Sequence, residues 1–192
     1  MSRFLSAAFH RVTGLLSTRA AAPKGVAVPG ESQQYKAKAE QGDAEAQFSL
    51  GYCYDDGRGV AKDKAKAVKW YRKAAEKNYA PAQSNLGCCY DNGRGVAKDN
   101  VEAVKWYRQA AEQDHPEAQF NLGYCYANGQ GVEKDIAEAY AWFSIAAKAD
   151  PDAAESRDLL RKGLTPQQFT DAQKRTKQLR LQIAAKPKRS NP

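Results

Sequence analysis

The sequence predicts an all-α protein: a right-handed α/α solenoid of helix-turn-helix repeats closed by a helical C-terminal cap. Three observations carry this. A block of residues recurs at a step of 36: Leu50-Gly51-Tyr52-Cys53-Tyr54 returns as Leu86-Gly87-Cys88-Cys89-Tyr90 and Leu122-Gly123-Tyr124-Cys125-Tyr126, and Trp70, Trp106 and Trp142 keep the same spacing. The glycine pairs Gly57/Gly59, Gly93/Gly95 and Gly129/Gly131 follow the same step, each running into a valine and then an aspartate at 63, 99 or 135. Between these marks the apolar residues return every three or four positions, the period of a helix. One such hairpin cannot bury both its faces, whereas stacked copies share a continuous core.

Each unit reads as two antiparallel helices. The first, over 44–56, places Ala46, Leu50 and Tyr54 on one apolar face with Cys53 beside them, and stops at Gly57, where a missing Cβ permits the left-handed closing turn. Pro81 and Pro116 stand at the start of the equivalent helices, where no intrahelical amide bond is lost. The second helix, over 64–77, turns Ala67, Tyr71, Ala74 and Ala75 inward. Asp99 with Glu102, and Asp135 with Glu138, have the spacing of a capping box, which Lys66 breaks in the first unit. Gly51, Gly87 and Gly123 sit in helix interiors, where glycine costs about 1 kcal/mol relative to alanine, so close approach to the bulky Trp-Tyr partner helix is expected.

The register divides the chain into a leader at 1–30, a capping half-repeat at 31–41, repeats at 42–77, 78–113 and 114–149, a C-terminal cap at 150–184 and a basic tail at 185–192. Tyr35 and Ala39-Glu40 match Tyr71 and Ala75-Glu76, so 33–41 reads as a lone second helix. After Phe143 the Leu-Gly pattern ends and two different helices follow, over 153–162 and 166–183. The latter opens on a Thr165/Gln168 capping box and carries an inner stripe of Phe169, Ala172, Thr176, Leu179 and Ile183.

Charge disfavours one class of partner for the body of the chain. The net charge of +8 comes from 30 basic and 22 acidic residues among 192. Eleven of the bases lie within 1–30 and 172–192, which contain no acid, leaving 19 bases against 22 acids, a net charge of −3, over 31–171. A mildly acidic body lacks the clustered Lys and Arg that a phosphate backbone requires, so nucleic acid is disfavoured as its partner. No apolar run reaches the ~18 residues of a spanning helix.

These residues resemble the Sel-one-like repeat family, relatives of tetratricopeptide repeats, whose Ala-x-x-x-Leu-Gly-x-x-Tyr, Gly-x-Gly-Val and Lys-Ala-x-x-Trp-Tyr-x-x-Ala-Ala patterns recur over about 31–150, and Leu164-Thr165-Pro166-Gln167-Gln168 resembles the end cap of bacterial members. The resemblance implies a non-enzymatic scaffold or adaptor for protein-protein contacts, with no cofactor. One branch of the family bridges its two helices with paired cysteines. Here Cys53, Cys89 and Cys125 all fall on first helices, about 10 Å apart once stacked and beyond the roughly 7 Å Cα limit of a disulfide, so free thiols and a reducing compartment are expected.

No catalytic or metal-ligating set stands out. Cys88 and Cys89 point about 100° apart on a helix, with no His or Cys at a chelating spacing. His10 and His115 are isolated, and the Gly-x-Gly loops follow helices and lack the Lys-Ser/Thr ending of a phosphate loop. Lys69, Arg72, Lys73, Lys105 and Arg108 read as a solvated outer face.

The candidate site is instead a stripe along the concave face. Positions 48, 49, 52 and 55 and their equivalents point away from the hairpin core on a helical wheel, which brings together Tyr52, Asp55, Asn85, Cys88, Asp91, Asn121 and Tyr124. Aromatic rings flanked by amides and carboxylates suit a peptide or helix of another protein. Phe48, Ser84 and Phe120 share these positions, and the two phenylalanines read equally well as packing against the adjacent repeat. A monomer binding a protein or peptide is the expected state.

Two alternatives stay open: a thiol-dependent enzyme or organellar assembly factor that would need an exposed, acidified Cys88, and a binder of RNA or a membrane surface through the basic ends. The leader, with Leu5, Phe9, Val12 and Leu16 on one helical face, arginines and no acid, resembles a mitochondrial presequence. The expected location is the cytoplasm, or the mitochondrion for a eukaryotic source.

Overall fold

A computed structural model describes residues 31–186; the leader and the last six residues of the tail lie outside the described residues, and with them the presequence reading. The described chain folds as nine consecutive helices: α1 Glu31–Glu40, α2 Ala44–Asp56, α3 Lys64–Glu76, α4 Ala80–Asn92, α5 Asn100–Ala111, α6 Pro116–Asn128, α7 Ile136–Ala146, α8 Pro151–Gly163 and α9 Pro166–Ala185. From α1 to α8 each packs on its neighbour in sequence, α2 on α3, α4 on α5 and α6 on α7 forming the hairpins, while α9 folds back along α7. This is an all-α solenoid of helix-turn-helix units with a helical cap.

Within a hairpin, close approach is set by the interior glycine of the first helix. A Cβ on Gly51, Gly87 or Gly123 would lie 2.7, 2.6 or 2.9 Å from the ring of Tyr71, Tyr107 or Phe143. The expected bulky partner is therefore the residue after the tryptophan. Those rings are fully buried in one core with Leu86 and Leu122, while Leu50 is buried in a separate cluster with Ala39 and Ala46.

Between units, the first helix begins by satisfying the last turn of the preceding second helix. Gln47, Gln83 and Gln119 donate through Nε2 to the carbonyls of Ala39, Ala75 and Ala111 at 3.0, 3.1 and 3.2 Å. Gly42, Asn78 and Asp114, again 36 apart, take positive φ of 96°, 62° and 64° to turn the chain there. Arg72 and Arg108 donate to the Tyr90 and Tyr126 hydroxyls of the next unit. The outer basic stripe is thus only partly solvated: its arginines stitch repeats together while Lys69, Lys73 and Lys105 stay exposed.

The second helices are capped by aspartate alone. Asp63, Asp99 and Asp135 each accept from the third helical amide, and Lys66 does not break the first cap but returns its ammonium to Asp63 at 3.2 Å. The reciprocal half of a capping box is not formed, because the cap amides donate to the carbonyls of Tyr54, Tyr90 and Tyr126 at 2.8–3.0 Å. On α9 the full Thr165/Gln168 box is present, with Ala172, Thr176 and Leu179 buried. Arg175 forks onto the buried Glu138 carboxylate, which also accepts from Trp142, and Lys186 bridges Glu112.

Candidate functional site

The row of residues expected to face outward on the first helices is divided by the structure. Phe48, Ser49, Ser84 and Phe120 are buried: Phe48 packs its ring 5.8 Å from Tyr71 and 5.5 Å from Tyr79, and Phe120 packs 5.4 Å from Phe143. Packing against the adjacent elements is their role. Asp55 is also buried and does not line an open face, because Lys64 Nζ donates to its Oδ1 at 2.7 Å and Arg94 of the next unit stands 3.8 Å from Oδ2. Two cations hold it as a bridge between repeats. Asn85 is 1% exposed, which corrects the expectation that it points into the groove. The helical wheel failed here because it treats each helix as having one neighbour, whereas a stacked first helix also meets the units before and after it.

Tyr52, Cys88, Asp91, Asn121 and Tyr124 remain half-buried on this face. Tyr52 accepts from Arg58 Nη2 at 3.3 Å, and the guanidinium carbon lies 4.8 Å from its ring centre. Gln130 reaches back from the third loop to donate to Asp91 Oδ1 at 2.6 Å. Burial raises the Asp91 pKa despite opposing effects of Lys98 and Gln130. The Tyr124 hydroxyl is pushed up as well, by desolvation first and by the Asp91 charge second.

Cys88 occupies the middle of the row. Its sulfur receives the Tyr107 hydroxyl at 3.3 Å and Asn121 Nδ2 at 3.7 Å. Desolvation raises the thiol pKa, against the lowering effects of Tyr107 and Arg94. Cys89 and Cys125 are raised to about 12, again mainly by burial, and none of the four cysteines is joined in a disulfide. A protonated, hydrogen-bonded Cys88 is poorly suited to nucleophilic attack, since the thiolate is the reacting form.

Among the described residues no group of three His, Cys, Asp or Glu could hold a metal ion, and no helix is long and apolar enough to cross a membrane. A depression of about 420 Å³ lies at the C-terminal cap, lined by Tyr126, Asp135, Ala137, Glu138, Asp171 and Arg175. Its carboxylates are engaged in structure: Asp135 caps α7, Glu138 pairs with Arg175, and Asp171 accepts from Gln167. The sequence reading missed it because it joins residues from helices that share no motif.

Sequence and fold comparisons agree with this architecture. The family model of the Sel1 repeat matches residues 44–79, 80–115 and 116–151. No curated protein matches the chain. Among solved structures, a Sel1 repeat protein from Oxalobacter formigenes is 41% identical with a TM-score of 0.62, over 67% of this chain and 56% of that one. The protective antigen c5321 of uropathogenic Escherichia coli, which displays an SLR fold, is 32% identical with a TM-score of 0.60, over 84% of this chain and 44% of that one. Cysteine-rich protein B of Helicobacter pylori is 27% identical with a TM-score of 0.52, over 64% of this chain and 89% of that one. The chain thus spans about half the length of the first two. Three consecutive matches to one repeat model, on hairpins that stack as that repeat requires, place this chain in the Sel1 repeat family.

Proposed function

We infer that the chain is a non-enzymatic adaptor that holds a peptide or helix of another protein on the face formed by α2, α4 and α6. Sel1 repeat proteins are in general protein-interaction scaffolds. The observation that carries the finer reading is the row itself: Tyr52, Cys88, Asp91, Asn121 and Tyr124 stay partly accessible on three successive first helices while their neighbours are consumed by packing. Rigid rings beside amide and carboxylate groups supply contact area at low entropic cost together with hydrogen bonds. The raised Cys88 pKa weighs against the thiol-enzyme alternative. Alanine at Tyr52, Asp91, Asn121 and Tyr124 together is expected to abolish partner recovery by in-cell crosslinking while the far-ultraviolet circular dichroism stays unchanged. Recovery of the same partners by that folded variant would sink the reading.

A further inference from the structure

The three copies of the repeat set different charges at one equivalent place on this face. On α2, Lys64 Nζ holds Asp55 Oδ1 at 2.7 Å, and Arg94, from the loop after α4, reaches back toward the same carboxylate. On α4, 36 residues later, Asp91 keeps the carboxylate, but Asn100 stands in the place of Lys64 and Gln130 in the place of Arg94. On α6 the carboxylate itself is replaced by Ala127. The first group therefore has two cations for one carboxylate, the second a carboxylate met by the Gln130 amide, and the third no charge. From α2 to α6 the face runs positive, negative, neutral.

Neither charge is fully met. Arg94 Nη2 lies 3.8 Å from Asp55 Oδ2, beyond hydrogen-bond length, and its Nε is buried with no hydrogen-bond partner. The guanidinium also acts on the Cys89 thiol, a weak acceptor. The tight pairing of Asp55 belongs to Lys64, so Arg94 is the surplus cation. Asp91 accepts from Gln130 at 2.6 Å, and burial raises its pKa, the mark of a carboxylate short of positive charge. Both surplus groups are reachable: the Arg94 side chain is 30% exposed and Asp91 is half-buried, whereas Asp55 is 7% exposed. The Cys88 thiol feels both of them, with opposite sign, which sets the two charges at the middle of the accessible row. A partly desolvated charge without its counter-charge favours an incoming group of opposite sign over a neutral one.

We propose that the face of α2, α4 and α6 selects a peptide that sets an acidic side chain against Arg94 and a basic side chain against Asp91. This rests on the adaptor reading and deepens it by naming the chemistry of the partner. Equivalent positions on successive first helices lie about 10 Å apart, a helix-packing distance. In a polyproline II segment, residues i and i+3 point the same way about 9 Å apart, so an acid and a base separated by two residues match the two charges. A guanidinium takes a carboxylate through paired N–H donors, which gives the acidic end its geometry.

The probe is the peptide Glu-Ala-Ala-Lys, acetylated and amidated, titrated into the isotope-labelled full chain at low salt. Gln-Ala-Ala-Lys and Glu-Ala-Ala-Gln, blocked alike, each lack one charge. The Arg94 Nε–H and Gln130 side-chain amide resonances report on the two ends. Both are expected to shift along one saturating curve, and each single-charge peptide should bind about tenfold more weakly. Arg94→Gln should abolish the preference for Glu over Gln at the first position and keep the preference for Lys at the last, as read at Gln130. Asp91→Asn should do the reverse. That crossed pattern is one that damage to the fold cannot produce. No saturable shift with Glu-Ala-Ala-Lys, equal binding of all three peptides, or loss of both preferences in both variants overturns the proposal. If that happens while Tyr52→Ala/Tyr124→Ala loses its crosslinked partners, the charge pair falls and the groove stands. If the crossed pattern appears while that double variant keeps its partners, the charge pair stands and the cellular partner is assigned to another face.

Discussion

Gln83 Nε2 on α4 donates to the carbonyl of Ala75 on α3 at 3.1 Å, in the interior between two repeats. The same amide also meets Asn78 Oδ1 at 3.1 Å, and Gln113 donates back to Gln83 Oε1 at 2.6 Å. One side chain therefore ties the end of one hairpin to the start of the next. Gln83→Leu keeps the volume but removes the Nε2 donor and the Oε1 that accepts from Gln113, leaving the Ala75 carbonyl with the Asn78 amide alone, so a loss of about 1 kcal/mol is expected in urea unfolding. Gln109→Ala, at an exposed position of α5, should cost far less.

The glycines of the loops are not equivalent. Gly129 and Gly131 both have φ of +70°, but a Cβ on Gly129 would meet only the Lys134 side chain and backbone at 3.3 Å or more, whereas one on Gly131 would run into the backbone carbonyl of Asn100 in the preceding unit. Gly129→Ala should cost about 1 kcal/mol, the penalty of the left-handed conformation. Gly131→Ala adds a backbone clash and should lower the unfolding midpoint further, with Gly95→Ala, against the Lys64 carbonyl, behaving alike.

His115 gives the fold an acid sensitivity. It caps α6, its Nδ1 accepting the Ala118 amide at 3.4 Å, and burial lowers its pKa from 6.5 to about 4. The folded state holds the ring neutral and the unfolded chain protonates it, so the contribution is complete above pH 6.5, declines as pH falls, and is exhausted below about 4. Up to roughly 3 kcal/mol is at stake over that window. His115→Asn, a capping residue that does not titrate, should flatten the stability profile between pH 6.5 and 4; an unchanged profile would refute the assignment.

Thiol chemistry offers a further check. Because burial raises Cys88, Cys89 and Cys125 above the ordinary thiol pKa, native protein at pH 7–8 should label at each of them far more slowly than unfolded protein. Rapid labelling at Cys88 in the folded state would revive the enzymatic alternative.

Helix limits were legible in the sequence because the signals that set them are local. Gly57 ends α2, Asp63 opens α3 and Thr165 opens α9 as expected from nearby residues alone. The site was half legible. Tyr52, Cys88, Asp91, Asn121 and Tyr124 keep some exposure, while Asp55 and Asn85 are taken inward by contacts with Arg94, in the loop after α4, and Tyr71, on α3. Gln47, Gln83 and Gln119 were visible at the 36-residue step and passed over, since a polar residue at a repeated position reads as surface until its acceptor in the previous unit is known.

The arginine-to-tyrosine stitches, Arg72 to Tyr90 and Arg108 to Tyr126, each join one unit to its neighbour. Tension applied along the axis would thus fall on these links in series, and extension should proceed as a sawtooth of discrete steps, one hairpin peeling away at a time.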